Sequence, residues 1–430
     1  MKLEWKRIFI IGLAFFSVSI AWAVYNSYVP VFLEALIPAS AISSTLVGLV
    51  MTFDNIAGLV FQPFFGKKSD STNTRLGRRI PYMVVGVPLG ALFLILIPLH
   101  RAADGKVLQL IMLMTAVIGM NFFMSVYRAP AVALMPDATP APLRSRANGV
   151  INFMGGFGSV AAFLIGGKLF GIAESLPFIF AGAMMVLALV ALLIFYREPK
   201  IPFSSEENET TEKERGASLF FSHAGKPALF RQNPSLLFML LSIFFWFCGY
   251  NGVETFFTLF CGQKFGMAPG TASQLLTFMA LTFLVFAIPA GLIGSKLGRK
   301  RTMLGGALLM ALSFLLIIVV DKQSFLPFPL ITSGIGWALI NINSYPTIVQ
   351  MAPKGETGKY TGFYYAFSFS ASIVAPILFG FISDLMDSYR TLFYFGLAMF
   401  LLALLMLSLV HLRKEETEPG KHILENMGND

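Results

Sequence analysis

Three ionisable side chains lie inside long apolar stretches of the sequence, where a charge needs a physical reason. They are Asp54, Arg128 and Glu254. A charge at the centre of a membrane helix costs about 2.5–3.5 kcal/mol on insertion scales, and such residues usually pair with each other or line an ion or substrate pathway. One interpretation is a buried ion pair that fixes helix packing. The other, which we expect for both carboxylates, is a proton-coupling site, and for Arg128 the two stay equally open.

A buried carboxylate suits proton coupling because its surroundings decide whether the protonated or the charged form is more stable. Burial disfavours the charged form, and a neighbouring arginine favours it. A protein that opens to one side of a membrane and then to the other can alternate these surroundings. Asp54 or Glu254 could then load a proton on one side and release it on the other, with Arg128 as the third coupling candidate.

The composition indicates a chain that is solvated by lipid. Of 430 residues, 56% are hydrophobic and 13% are charged, whereas soluble domains carry roughly 25% charged residues. The net charge of +9 is spread over short gaps between apolar runs. We therefore expect a lipid bilayer as partner and no nucleic acid.

Windows of about 20 apolar residues, the length that spans a bilayer, predict twelve transmembrane helices in an all-α protein. They lie near 8–33, 45–65, 80–99, 108–133, 147–170, 177–195, 235–260, 271–293, 302–320, 328–350, 361–382 and 391–411. Most of the 32 lysine and arginine residues fall in gaps that would lie on the same side of the membrane as the amino terminus. Because positive loops stay inside, we expect a multi-pass protein of the cell membrane with both termini cytoplasmic.

The sequence divides into two similar halves. We predict a six-helix bundle at 1–196, a cytoplasmic linker at 197–234, a second bundle at 235–411 and a cytoplasmic tail at 412–430. The tripeptide Gly77-Arg78-Arg79 matches Gly298-Arg299-Lys300, and Tyr25-Asn26 matches Tyr250-Asn251, at similar offsets. Parallel repeats of this kind place a binding site at the midplane between the halves.

No catalytic constellation is present in the sequence. It contains no phosphate-binding loop, nucleophile triad or zinc-ligand spacing. We expect a protein that is not an enzyme and holds no cofactor or metal. Transport by such a chain would run on an ion gradient, with protons favoured and sodium as the alternative.

Several motifs resemble those of the major facilitator superfamily of secondary transporters. The loop GKKSDSTNTRLGRRIP (66–81) resembles the superfamily signature between its second and third helices. The strings AVYNSYVPVFL (23–33), FQPFFG (61–66), RAPAVALMPD (128–137), RSRANGVINFMGGFG (144–158) and YNGVETFF (250–257) resemble the sucrose-transporter-like branch, which is related to the glycoside–pentoside–hexuronide cation symporters.

The resemblance implies two pseudo-symmetric six-helix bundles, alternating access, and transport of a sugar together with a proton or sodium ion. Three positions depart from these families. Gly58 and Gln62 stand where melibiose-type symporters have paired carboxylates, and Asn121 stands where plant sucrose carriers have an acid. In the second copy of the loop, Ser295 replaces the signature aspartate.

Sugar binding needs neutral hydrogen-bonding groups and aromatic faces. The substrate-binding candidates lie in the first, fourth, seventh and tenth predicted helices: Tyr25, Asn26, Asn121, Tyr250, Asn251, Asn341, Asn343 and Tyr345. The glycine-rich stretch 155–158 predicts close helix packing.

The signature loop predicts a cytoplasmic gate that holds the outward-open state through charge-assisted bonds between the halves. We expect Gly66 to turn the chain after the second helix, and Asp70 to meet an arginine or a helix N-terminus. The gate candidates are Gly66, Asp70, Arg75, Gly77, Arg78, Arg79, Asp137, Arg144, Gly298 and Arg299.

The sequence therefore predicts a secondary transporter that moves a small polar solute, a sugar or glycoside, by alternating access coupled to protons. We expect it to act as a monomer. The alternatives are a carrier or exporter of another small solute, and a sensor or channel built on the same fold.

Overall fold

The computed structural model describes residues 4–38, 40–140, 143–199, 233–353 and 356–411. Within these ranges, twelve helices are long and apolar enough to cross a membrane, which confirms the predicted number. We number them in chain order: α1 Trp5–Leu36, α2 Ser43–Asp70, α3 Ile80–Ala102, α4 Lys106–Ala138, α5 Arg146–Phe170, α6 Leu176–Phe195, α7 Pro234–Phe265, α8 Pro269–Leu297, α9 Arg299–Val319, α10 Gln323–Gln350, α11 Thr357–Met386 and α12 Tyr389–Ser408. Most of the predicted linker and all of the predicted tail lie outside the described residues.

Helix α7 illustrates how local sequence sets the helix ends. The side chain of Asn233 caps its first turn by accepting a hydrogen bond from the Leu236 N–H group, and Pro234 occupies the first helical position. At the other end, Gly266 adopts the left-handed conformation that closes many helices. Because these residues set its ends, α7 is longer than the apolar window at 235–260 that predicted it.

We call α1–α6 the N-half and α7–α12 the C-half. The end of the molecule where α1 begins is the terminal face, and the end where α1 finishes is the distal face. Because consecutive spans alternate in direction, the chain returns to the terminal face after each even-numbered helix. Two hydrogen bonds connect helix ends at this face. Lys300 Nζ, at the start of α9, donates to the Val410 carbonyl after α12, and the His411 N–H group donates to Ser235 Oγ at the start of α7.

The halves meet closely at the distal face. The Ser273 hydroxyl of α8 donates to Ser27 of α1 at 3.1 Å. A Cβ atom built on Gly270 of α8 would lie 2.5 Å from the carbonyl oxygen of Gly167 in α5. Next to this contact α5 contains one π-helical turn, Ala162–Gly166.

The glycine-rich stretch of α5 packs as predicted. A Cβ atom on Gly158 would lie 2.6 Å from the Phe16 carbonyl oxygen of α1, and one on Gly156 would lie 2.9 Å from Leu284 Cδ1 of α8. The first neighbour is backbone, which cannot move aside as a flexible side chain can. Gly158 therefore allows α1 and α5 to approach.

We expect Gly158→Ala to destabilise the protein by about 1–3 kcal/mol, the usual cost of overpacking. The measurement is thermal unfolding of the purified protein in detergent. Gly149→Ala is the matched control, because a Cβ atom at Gly149, in the same helix, meets nothing within 4 Å. Equal melting temperatures for the two variants would contradict this account of the helix contact.

Candidate functional site

A cavity of about 1660 Å³ lies between the halves and opens at the terminal face. Its deepest walls come from α5, α7, α8 and α10, and its mouth from the terminal ends of α4, α5, α8, α10 and α11. The polar side chains and the tryptophan and tyrosine rings that line it are Trp5, Ser19, Gln62, Arg144, Arg146, Asn148, Asn152, Ser159, Tyr250, Glu254, Trp337, Asn341, Tyr345, Tyr364 and Tyr365. Glu254 is the acidic residue of this lining.

The C-half supplies an aromatic wall to the cavity. The rings of Tyr250 and Trp337 stack face to face, with centroids 4.1 Å apart and an interplanar angle of 9°. Tyr345 makes an edge contact with Tyr364, at 5.4 Å between centroids, and Tyr364 makes another with Tyr365. Such preset rings offer flat apolar surfaces with hydroxyl groups at their margins.

Helix α2 departs from regular geometry for one residue, Thr52, shortly before Asp54. Its two parts are Ser43–Met51 and Phe53–Asp70. At Thr52 the side-chain hydroxyl donates to the Leu49 carbonyl at 2.7 Å. Asp54 thus lies in the first turn of the second part, where the helix dipole favours a negative charge, and it accepts a hydrogen bond of 2.7 Å from Asn55.

Asp54, Arg128 and Glu254 form one electrostatic group within the bundle. Asp54 interacts with Arg128 of α4 and with Glu254 of α7. Among the described residues, Asp54 and Arg128 do not form an ion pair with nitrogen and oxygen within 4 Å. Glu254 lies beside the side chain of Asn26. Of the three, Glu254 alone is among the residues that line the cavity.

The predicted substrate residues separate into two sets. Tyr250, Asn341 and Tyr345 line the cavity. Tyr25, Asn26, Asn121, Asn251 and Asn343 do not, and substrate contact by them stays a prediction.

Two of the asparagines outside the cavity donate hydrogen bonds to backbone carbonyls. Asn343 donates hydrogen bonds to the Ala290 and Leu339 carbonyls, at 3.1 and 2.9 Å, and it lies against Gly294 of α8, where a Cβ atom would collide with it. Asn251 donates to the Phe247 carbonyl of its own helix at 2.7 Å.

Tyr25 and Asn121 are buried inside the N-half, with exposed fractions of 0% and 2%. The tyrosine hydroxyl lies beside the asparagine amide, and their polar side-chain atoms make no hydrogen bond within the described part of the chain. The same hydroxyl is within electrostatic range of Asp54. Tyr25 therefore links the buried Asn121 to the charged group around Asp54.

Several residues of the cavity wall were not predicted from the sequence. Trp337, Tyr364 and Tyr365 lie in α10 and α11 without any motif that distinguishes them from aromatic residues facing lipid. Gln62 was visible as a polar residue before Pro63 in an apolar helix, and this signal could have assigned it to the cavity.

The signature loop forms a compact ion-pair network at the terminal face. Arg79 is buried and binds Asp70 at 2.5 Å and Asp137 at 3.0 Å. Arg78 binds Asp137 at 3.2 Å. Burial alone would lower the pKa of Arg79, but the carboxylates of Asp137 and Asp70 outweigh it and raise that pKa. Arg79 is therefore charged at every physiological pH.

Glu198, beyond α6, completes this network. Its carboxylate accepts hydrogen bonds from the Arg79 and Ile80 backbone N–H groups, the shortest at 2.9 Å. Gly77 makes room for it, because a Cβ atom there would collide with the carboxylate, and its φ of +109° also favours glycine. The equivalent Gly298 has a φ of +88°, just before Arg299 at the start of α9.

Each partner described for Arg78 and Arg79 lies in the N-half or, as Glu198 does, just after α6, so a bond between the halves stays a prediction. Arg75 is exposed in the loop. Arg144 donates to the Thr139 carbonyl at the end of α4. The expectation that the chain turns at Gly66 is wrong: α2 continues to Asp70, because nothing in Gly66-Lys67-Lys68 stops a helix once the loop arginines bind its last turn.

Twelve spanning helices around a cavity that opens at one face define the class of membrane transporters. A family model described as "Major Facilitator Superfamily" matches residues 11–273 and 256–426, and the chain belongs to this superfamily. Its fold is that of transporters and not of enzymes.

Individual relatives are distant. The chain is 24% identical to "Multidrug resistance protein 2" of Bacillus subtilis, over 91% of its own length and 92% of the relative's. It is 20% identical to the "Isoprimeverose transporter" of Lactiplantibacillus pentosus, over 83% and 73%. Among solved structures, a D-xylose-proton symporter superposes with a TM-score of 0.72 at 15% identity, over 96% and 97%.

We expect Asp137→Asn to destabilise the protein by about 3 kcal/mol, because breaking a buried ion pair leaves a charge without its counterion. Asp137 is 1% exposed and contacts two arginines. Thermal unfolding in detergent measures the effect, with Asp104→Asn in an exposed loop as the control. An unchanged melting temperature for Asp137→Asn would show that the network does not stabilise the fold.

Proposed function

We propose that the protein is a proton-coupled secondary transporter of a small polar solute with ring faces, such as a sugar or glycoside. The cavity carries this proposal. Its aromatic wall offers stacking surfaces, and Gln62, Asn152 and Asn341 offer amide groups that donate and accept hydrogen bonds. A site for a neutral, hydroxyl-rich solute needs both. The relative named as an isoprimeverose transporter is consistent with this substrate class.

The charges inside the bundle support coupling to protons. Asp54 and Glu254 are two carboxylates, and Arg128 is the one cation described at this depth. If all three are charged, one negative charge has no counterpart in a medium where such a charge is costly. A proton bound to either carboxylate removes this excess negative charge. Glu254 faces the cavity and Asp54 does not, so Glu254 can respond to the substrate and Asp54 can hold the proton.

Alternating access would then expose the cavity at the terminal face and later at the distal face. With the amino terminus in the cytoplasm, as the positive loops predict, the structure corresponds to the inward-open state. Asp70 and the arginines near it would then meet the C-half in the opposite state.

Export of a larger amphipathic compound is the second candidate. A cavity of about 1660 Å³ lies above the range of roughly 300–1,000 Å³ that is usual for a drug-sized ligand. Its wall includes many apolar side chains, and one relative is named as a multidrug resistance protein. This candidate uses the same cavity and the same proton.

The deciding experiment is transport by the purified protein in liposomes. We expect radiolabelled sugars or glycosides from a small panel to accumulate when a pH gradient is imposed, and to exchange with unlabelled substrate without a gradient. Exchange identifies a carrier, since a channel shows no acceleration by substrate on the opposite side. Transport of lipophilic drugs but of no sugar would favour the second candidate.

Two substitutions test the coupling role. We expect Glu254→Gln and Asp54→Asn each to reduce gradient-driven accumulation at least tenfold, while exchange continues, because exchange needs no net proton movement. Asp104→Asn, an exposed carboxylate, should behave as the native protein. Substrate-driven alkalinisation of the medium gives the same readout directly. Intact coupling in both variants would exclude the two carboxylates as proton carriers.

A further inference from the structure

The first half of α2 lacks a cap of its own. Its N-cap residue is Ile42, and no side chain of the preceding loop binds its first N–H groups. Isoleucine is among the weakest N-cap residues, because it has no oxygen to accept these hydrogen bonds. In a bundle bounded by lipid, such N–H groups need partners from elsewhere in the protein.

The partner is Asp384 of the opposite half. Its carboxylate accepts hydrogen bonds from the Ser44 and Thr45 N–H groups, both at 2.7 Å, and from the Thr45 hydroxyl at 2.5 Å. The carboxylate lies in the last turn of α11, where the dipole of its own helix disfavours a negative charge. The N-terminus of α2 favours it. The charged Asp384 carboxylate is therefore more stable in contact with the N-terminus of α2 than when the halves are apart.

The surrounding contacts bring the two helices to backbone distance. A Cβ atom on Gly380 of α11 would collide with the Ser44 carbonyl, and one on Gly48 of α2 would collide with the Pro376 carbonyl. Tyr389 adds a second link between the halves: its hydroxyl accepts from Ser44 at 3.0 Å and donates to Glu34 of α1.

We propose that Asp384 is the residue that holds the distal face closed, by capping α2 across the interface between the halves. This inference rests on the alternating access proposed above. To open the distal face, the protein must separate α2 from α11 and therefore break three hydrogen bonds to one charged group. The carboxylate positions the halves and does not touch the substrate, since it lies outside the cavity lining.

The test measures distances between spin labels in the full-length protein without substrate. One pair, Asp104→Cys and Lys322→Cys, places labels in exposed distal loops of the two halves. A second pair, Leu76→Cys and Lys296→Cys, reports on the terminal face. The native Cys248 and Cys261 are buried, which limits unwanted labelling.

We expect Asp384→Asn to raise the ratio of distal-open to distal-closed molecules about tenfold or more, because charge-assisted hydrogen bonds are lost. The terminal pair should move closer at the same time. Thr45→Val removes one of the three bonds and should shift the ratio in the same direction by a smaller factor.

Asp387→Asn is the matched control. It removes the same charge one turn away, at an exposed position, and should leave both distances unchanged. Native-like distances in folded Asp384→Asn and Thr45→Val would overturn the proposal. If Asp384→Asn does not fold, Thr45→Val decides alone. Because no substrate is used, the result stands whether or not the transport assay identifies one, and failure of the proposed function is seen only in that assay.

Discussion

Hydrocarbon offers no partner for a charge or for a free backbone N–H or carbonyl group, and this constraint organises the molecule. Where helices end, charges from other helices complete them. Lys264 of α7 donates to the Ile317 and Ile318 carbonyls at the end of α9, both at 2.9 Å. Asp384 does the equivalent for the first N–H groups of α2. Such contacts join helices that are remote in sequence.

The same constraint explains the centre of the bundle. Asp54 interacts electrostatically with both Arg128 and Glu254, so the three side chains form one group. At Thr52 α2 departs from the regular helix for one residue, and Asp54 lies in the first turn of the part that follows.

The two faces differ in how their charges are used. At the terminal face, Asp70, Arg79 and Asp137 neutralise one another within the N-half, and the cavity is open. At the distal face, Asp384 bonds between the halves and the cavity is closed. Charge-assisted hydrogen bonds therefore join the two halves at the distal face. At the terminal face, the ion pairs of Arg79 form without any residue of the C-half.

Features that depend only on a short stretch of the chain could be predicted from the sequence, whereas features that depend on contacts between distant segments could not. The twelve spans and the three mid-span charges follow from hydropathy, because every residue in a span meets the same lipid. The ion pairs around Arg79 followed in part from the loop motif. The turn expected at Gly66 was wrong, since a helix end depends on its partners and not on one glycine.

The cavity wall could not be predicted in the same way. Asn341 and Asn343 are two residues apart in one helix, yet Asn341 faces the cavity and Asn343 is bonded to the α8 backbone. The sequence by itself determined the spanning helices, the family signature and the buried charges, all of which are local in the chain. Only the tertiary structure decided which side chains share the cavity and that Asp384 caps α2, because these depend on the rotation and approach of helices hundreds of residues apart.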